Sequence, residues 1–142
     1  MISVDTNILI FAANPASTRH EKALTFMNCF ANQELVICEL VLVELYMALR
    51  NPAIFPKPYT AKQAADYCQK LKTHPKWLYI DYEPEISAKL WKWATRTKKG
   101  FRQIIDARIA LTLKHHGVKE FATANMKDFK SFAFDKLWNP SL

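Results

Sequence analysis

Four short apolar runs, Met1–Val4, Leu35–Cys38, Trp77–Ile80 and Phe121–Ala124, are spaced along the chain with helical stretches between them. Short, continuously apolar runs read as buried strands. Strands that alternate with helices imply an α/β domain built on a parallel sheet, because each parallel connection must cross back over the sheet. The 142 residues form one domain, large enough for a real core, and no internal repeat or low-complexity segment interrupts it.

The intervening helices are marked by their ends. Asn7–Ala13 begins a helix after the first strand. Thr18-Arg19-His20-Glu21 has the capping-box pattern and predicts a helix to about Ala31. A helix containing Glu44 follows the second strand and ends near Arg50. Asn51–Tyr59 holds Pro52, Pro56 and Pro58 and is a stiff loop. Thr60-Ala61-Lys62-Gln63 is a second capping box, opening a helix to about His74. Glu83-Pro84 starts a helix to about Lys98, with proline suited to the first turn. Ile104–His116 is a further helix, closed by Gly117. The tail, Phe132–Leu142, is expected to add a short edge strand.

Only two glycines occur, Gly100 and Gly117. This excludes a P-loop and a G-x-G-x-x-G dinucleotide site, which need clustered glycines for close phosphate approach. Cys29, Cys38 and Cys68 are odd in number, fit no metal spacing, and read as reduced structural thiols. No apolar run reaches membrane-spanning length. The start lacks the basic n-region of a signal peptide, so the expectation is a cytoplasmic protein with no membrane partner. The formal net charge is +7, from 20 Lys+Arg against 13 Asp+Glu, and favours a polyanionic partner.

The acids stand in unusual places. Glu44 is the only charged residue of Leu40–Leu49. On a helix its neighbours at three and four residues are Leu40, Val41, Met47 and Ala48, all apolar. An unpaired buried carboxylate costs on the order of several kcal/mol. A cation, an ion pair or protonation must compensate. Asp5 ends the first strand, where ligands of open parallel sheets sit, though an Asp there can also cap the next helix. Asp106 shares a helix side with Ile109, Ala110 and Leu113. Asp128 lies just past the fourth strand, three residues after Asn125. Carboxylates brought together repel, and a divalent ion relieves the repulsion. With oxygen ligands alone, the site favours Mg²⁺ or Mn²⁺ over Zn²⁺. Asp81 also ends a strand, but Glu83-Pro84 follows at once, and helix entry accounts for it.

Taken in order, V-D-T-N-I-L at Val4–Leu9, Glu44 in mid-helix, I-I-D-A-R-I-A at Ile104–Ala110 and T-A-N-M-K-D-F at Thr123–Phe129 resemble the PIN domain. The branch they are most similar to is the VapC-like toxins of prokaryotic toxin–antitoxin pairs. The resemblance spans nearly the whole chain. It implies a three-layer α/β/α sandwich with a central, mostly parallel sheet of four to five strands. It also implies an acidic pocket, RNA cleavage dependent on Mg²⁺ (or Mn²⁺), a homodimer, and inhibition by a cognate antitoxin. By position, Asp5, Glu44 and Asp106 match the family's three core acids. Thr6 matches the residue whose hydroxyl helps hold the first Asp. For the fourth acid, Asp128 is favoured, with Asn125 assisting.

From Ile86 to Ile105 there is no acid, but there are Lys89, Lys92, Arg96, Lys98, Lys99 and Arg102. A phosphate backbone approaching an acidic pocket needs such flanks. Lys98, Lys99 and Arg102, nearest Gly100, are the candidate substrate contacts; the alternative is an ordinary solvated face. Arg50 is either a further contact or a helix C-terminal cap. Trp91 and Trp93 cannot share one helical face, so at least one belongs to the core. His115 and His116 sit at a helix C-terminus, where the dipole favours them. Leu42, Tyr46 and Leu49 give the Glu44 helix a second apolar side, for packing or for a dimer or antitoxin interface. The main alternative is a PIN-like RNA-binding module with a weak or dead site. A haloacid-dehalogenase phosphatase wants a second Asp where this chain has Asn7, and a receiver domain wants an acidic pair near its start.

Overall fold

The computed structural model describes residues 1–142. Its strands are β1 (Ile2–Val4), β2 (Leu35–Cys38), β3 (Trp77–Ile80), β4 (Glu120–Ala122) and β5 (Lys136–Trp138). The helices are α1 (Thr6–Ala13), α2 (His20–Asn28), α3 (Glu39–Leu49), α4 (Ala61–Lys72), α5 (Pro84–Arg96), α6 (Gln103–His115) and the short α7 (Met126–Phe129). One 3₁₀ turn covers Lys130–Phe132. The expected edge strand is present as β5. The helix α7 was not anticipated, and Phe129 explains it: its fully buried ring meets that of Phe121 edge-on at 4.9 Å, drawing the segment onto the sheet.

The sheet order is β3-β2-β1-β4-β5, and every pairing is parallel. From β1 the chain steps outward to β2 and β3, then returns to the far side of β1 as β4. Right-handed crossovers therefore place α1–α4 on one face and α5–α7 on the other, giving the three-layer α/β/α sandwich. Helix contacts agree: α1 packs on α2 and α3, α3 on α4, α5 on α6, and α6 on α7. The reversal between β1 and β4 leaves a crevice beyond their carboxyl ends. Val4 pairs with Ala122, so Asp5 and Thr123, the next residues, come side by side at its floor.

The helix ends follow local chemistry. Thr60 and Gln63 form the expected reciprocal capping box of α4. The Thr18 box does not form. Ser17 takes its place: its hydroxyl accepts from the Arg19 N–H at 3.1 Å, its carbonyl from the His20 N–H at 3.2 Å, and α2 starts only at His20. Gly117, at φ +80°, ends α6 in a Schellman motif. The Gly117 N–H reaches the Lys114 carbonyl at 3.1 Å and the Val118 N–H that of Leu113 at 3.0 Å.

Candidate active site

Asp5 is buried at the crevice floor, and both its oxygens are held. Oδ1 accepts from the Thr6 N–H at 2.7 Å. Oδ2 accepts from the Thr123 hydroxyl at 2.6 Å and the Asn7 side-chain amide at 3.3 Å. The Thr123 hydroxyl in turn accepts the Asn125 N–H at 2.9 Å, and the Asn7 side-chain Oδ1 accepts the Ala124 N–H at 3.1 Å. Asp5 thus both caps α1 and faces the crevice. Burial, reinforced by the charges of Asp106 and Glu44, pushes its pKa up to about 7, although the hydrogen bonds from Thr123 and Thr6 oppose the shift.

Glu44 projects from α3 toward the same place. Its Oε1 accepts from the Thr6 hydroxyl at 2.9 Å, and burial raises its pKa. The expectation that Thr6 holds Asp5 through its hydroxyl is corrected: the hydroxyl serves Glu44, and only the backbone N–H of Thr6 serves Asp5. Thr123 supplies the hydroxyl on Asp5. The apolar surround predicted for Glu44 is incomplete. Val41 and Ala48 are buried, but Met47 is 65% exposed, so the carboxylate sits at the crevice edge rather than in the core.

Asp106 lies in the first turn of α6. Burial, then the charges of Asp128 and Glu44, lift its pKa to about 6, while the Lys99 ammonium opposes them. Asp5 senses Asp106 and Glu44; Asp106 senses Glu44 and Asp128. The four acids therefore form one electrostatically connected set. Oxygen donors of this kind suit a hard divalent cation. Asp128 is half-buried on α7, its N–H held by the Asn125 carbonyl at 3.0 Å, and joins the set through its charge on Asp106. The Asn125 side chain is exposed.

Among the cations, Lys99 is the one drawn to the pocket. Its ammonium donates to the Asp128 carbonyl at 3.1 Å and lies 6.0 Å from the centre of the Phe132 ring. Lys98 is exposed in the α5–α6 connection, and Arg102 immediately precedes α6. Arg50 reaches the Tyr46 hydroxyl at 3.1 Å. Arg108, two residues beyond Asp106 and so on the other side of α6, is clamped to Glu39 at 3.2 Å and lies 4.1 Å over the Tyr82 ring, bracing α6 against α3. Trp93 packs on Phe132, whereas Trp91 is 60% exposed. Asp81 stands apart, its carboxylate accepting the Tyr82 N–H at 2.8 Å.

A second group lies elsewhere. Glu83, Glu85 and His115 offer ligand atoms within 4.8 Å of one another and are capable of coordinating a divalent metal. Glu83 pairs with His115 at 2.8 Å and stands 3.9 Å from His116. The two histidines thus have an acidic neighbour as well as the helix dipole. His115 is nine residues beyond Asp106 on α6, about 13 Å along the axis, so this group is separate from the crevice.

The model of the PIN domain family matches residues 2–135. The chain belongs to the PIN-domain family. Ribonuclease VapC24 of Mycobacterium tuberculosis is 40% identical over 141 residues, covering 99% of this chain and 97% of that protein. The chain is thus homologous to the VapC branch. Among solved structures, the sarcin–ricin loop cleaving toxin VapC20 of the same species has a TM-score of 0.73 at 17% identity, over 94% of this chain and 96% of that one. VapBC2 of Rickettsia felis, bound to a DNA fragment from its promoter, has a TM-score of 0.64 at 20% identity, over 98% of each chain. At such identities these structures share the fold. No helix is long and apolar enough to cross a membrane.

Proposed function

We propose that this chain is a metal-dependent endoribonuclease and the toxin of a toxin–antitoxin pair. The observation that carries the reading is the set of acids at the β1/β4 crevice, in which Asp106 and Glu44 act on Asp5 and Asp128 and Glu44 act on Asp106, with Asp5 and Asp106 pushed up to about 7 and about 6. Protonation is one relief of that repulsion; a cation is the other. Mg²⁺ or Mn²⁺ fits the all-oxygen donor set, and Asp5, Glu44, Asp106 and Asp128 would hold it. When bound, such an ion activates water and neutralises charge on a phosphate in transit.

The chain's own residues do the positioning. Thr123 and the Thr6 N–H fix the two oxygens of Asp5, and the Thr6 hydroxyl fixes Glu44. These acids are thereby oriented before substrate arrives, which reduces reorganisation on binding. Asp128 is the fourth acid, with Asn125 contributing its backbone carbonyl and N–H to the turn. Lys99, with Lys98 and Arg102, offers positive charge where an RNA backbone would meet the acids. Homology to the VapC branch supports RNA as substrate, an antitoxin partner and a cytoplasmic setting. Val43 and Met47, 44% and 65% exposed on α3, give an apolar surface for the antitoxin or a second copy in a homodimer.

The test is cleavage of mixed RNA by the purified chain in Mg²⁺ or Mn²⁺, with and without chelator, and again with Asp106→Asn. Cleavage is expected only with the metal and the intact acid. Activity that survives chelation or the substitution overturns the reading, and RNA binding with no cleavage at all would reassign the chain as a binding module.

A further inference from the structure

Phe101 is 86% exposed, more than any other large apolar side chain here. Its surroundings are not loose. The connection from α5 to α6 is tied at three points: the Lys99 N–H donates to the Thr97 hydroxyl at 3.1 Å, the Gln103 N–H to the Gly100 carbonyl at 3.1 Å, and the Lys99 ammonium to the Asp128 carbonyl at 3.1 Å. The Gly100–Gln103 hydrogen bond closes a four-residue turn with Phe101 and Arg102 at its corner. The Arg102 guanidinium lies 5.6 Å from the Phe101 ring centre. A fixed turn therefore presents an aromatic ring to solvent with the Arg102 guanidinium beside it, in a segment that also carries Lys98 and Lys99.

The turn that carries the ring also leads directly into the Asp106 helix. Phe101 and Asp106 are five residues apart, with Gln103–Asp106 helical. Their Cα atoms are at most about 12 Å apart. An aromatic face beside Arg102, in a connection that also carries Lys98 and Lys99, suits a ligand that is flat and apolar on one part and anionic on another. An apolar protein segment would satisfy the ring but leave the cations unmatched. A nucleotide satisfies both, by stacking its base and placing its phosphate among the cations. A base inside a duplex already has its faces covered, so the nucleotide must be unpaired.

We infer that Phe101 is a stacking platform for an unpaired base of the RNA substrate, at a nucleotide flanking the scissile phosphate. The inference rests on the endoribonuclease reading and adds a substrate preference, for RNA with a base free to leave its stack.

The test measures binding of a short, labelled, single-stranded RNA to the full chain by fluorescence anisotropy in Mg²⁺, in an Asp106→Asn background that leaves the RNA intact. Phe101→Ala is expected to weaken binding roughly tenfold, while Phe101→Trp keeps it. An abasic site walked along the RNA should weaken the parent roughly tenfold at one position and leave Phe101→Ala no weaker there, since the same stack cannot be lost twice. Because the side chain touches little, Phe101→Ala should melt at the parent's temperature. Unchanged RNA affinity in Phe101→Ala, or losses that multiply with the abasic site, would overturn the inference. Unchanged RNA affinity together with weakened self-association in sedimentation would reassign Phe101 to a protein interface. Failure of the Asp106→Asn chain to bind any RNA, together with no metal-dependent cleavage by the parent, would remove this inference and the parent reading together; intact binding and metal-dependent cleavage with an indifferent Phe101 would remove this one alone.

Discussion

Replacing Asp5 by Asn should make the metal-free protein more stable at alkaline pH while abolishing cleavage. In the folded chain Asp5 titrates at about 7 instead of 3.8. Below about pH 3.8 both folded and unfolded chains hold its proton. Between 3.8 and 7 the unfolded chain has released the proton and the folded chain keeps it, so stability falls as pH rises. Above 7 both are ionised and the loss is complete. The shift of about 3 units corresponds to a loss on the order of 4 kcal/mol. Asn at position 5 carries no charge to desolvate. It keeps an oxygen for the Thr6 N–H, but presents an amide where Thr123 and Asn7 donate, at a cost of about 1–2 kcal/mol. The net gain at pH 8 is then about 2–3 kcal/mol, a rise in Tm of roughly 5–10 °C. Thermal melts in chelator at pH 5 and pH 8 read this directly. Wild type should melt lower at pH 8 than at pH 5, and the variant should lack that part of the fall. In saturating Mg²⁺ the order should reverse at pH 8, because only wild type gains binding energy there. Equal wild-type melting at pH 5 and pH 8 in chelator, or an Asn variant no more stable at pH 8, would refute the reasoning.

Asp128→Asn should lower kcat/KM for RNA at least about tenfold, a loss of roughly 1.4 kcal/mol in transition-state stabilisation, whereas Asn125→Ala should stay within about threefold; initial rates at fixed Mg²⁺ decide between them. Thr123→Val removes the hydroxyl from Asp5 and the acceptor of the Asn125 N–H. It should destabilise the fold by about 1–3 kcal/mol, measured by urea titration at pH 7.5, and a variant of unchanged stability would show that Thr123 does not hold Asp5.

The strands were legible because burial on both faces leaves short runs such as Leu35–Cys38 with no polar residue to break them. Asp5, Glu44 and Asp106 were legible because a charge within apolar neighbours is anomalous on any helix or strand end. What sequence spacing cannot carry is register. Thr123 becomes a partner of Asp5 only because Val4 pairs with Ala122, and no local pattern announces that pairing. The same holds for Thr6, whose hydroxyl was expected on Asp5 and is given to Glu44 by the approach of α3. The missed helix α7 is four residues long, shorter than any periodicity can reveal, and depends on Phe129 finding Phe121. The failed Thr18 cap shows the converse: a correct local pattern lost to Ser17, one residue away, which closes a turn first.

The crevice joins the two ends of the chain. Asp5 is made long before Thr123, Asp128 and the outer strand β5, and the hydrogen bond between Asp5 and Thr123 spans 118 residues. During synthesis β1, β2 and their helices can form first, but the acids stay apart until the segment carrying Thr123 and Asp128 has left the ribosome. On the proposed function, a nascent chain whose Thr123 and Asp128 have not yet emerged lacks the assembled acids and cannot cut the messenger or the ribosome making it.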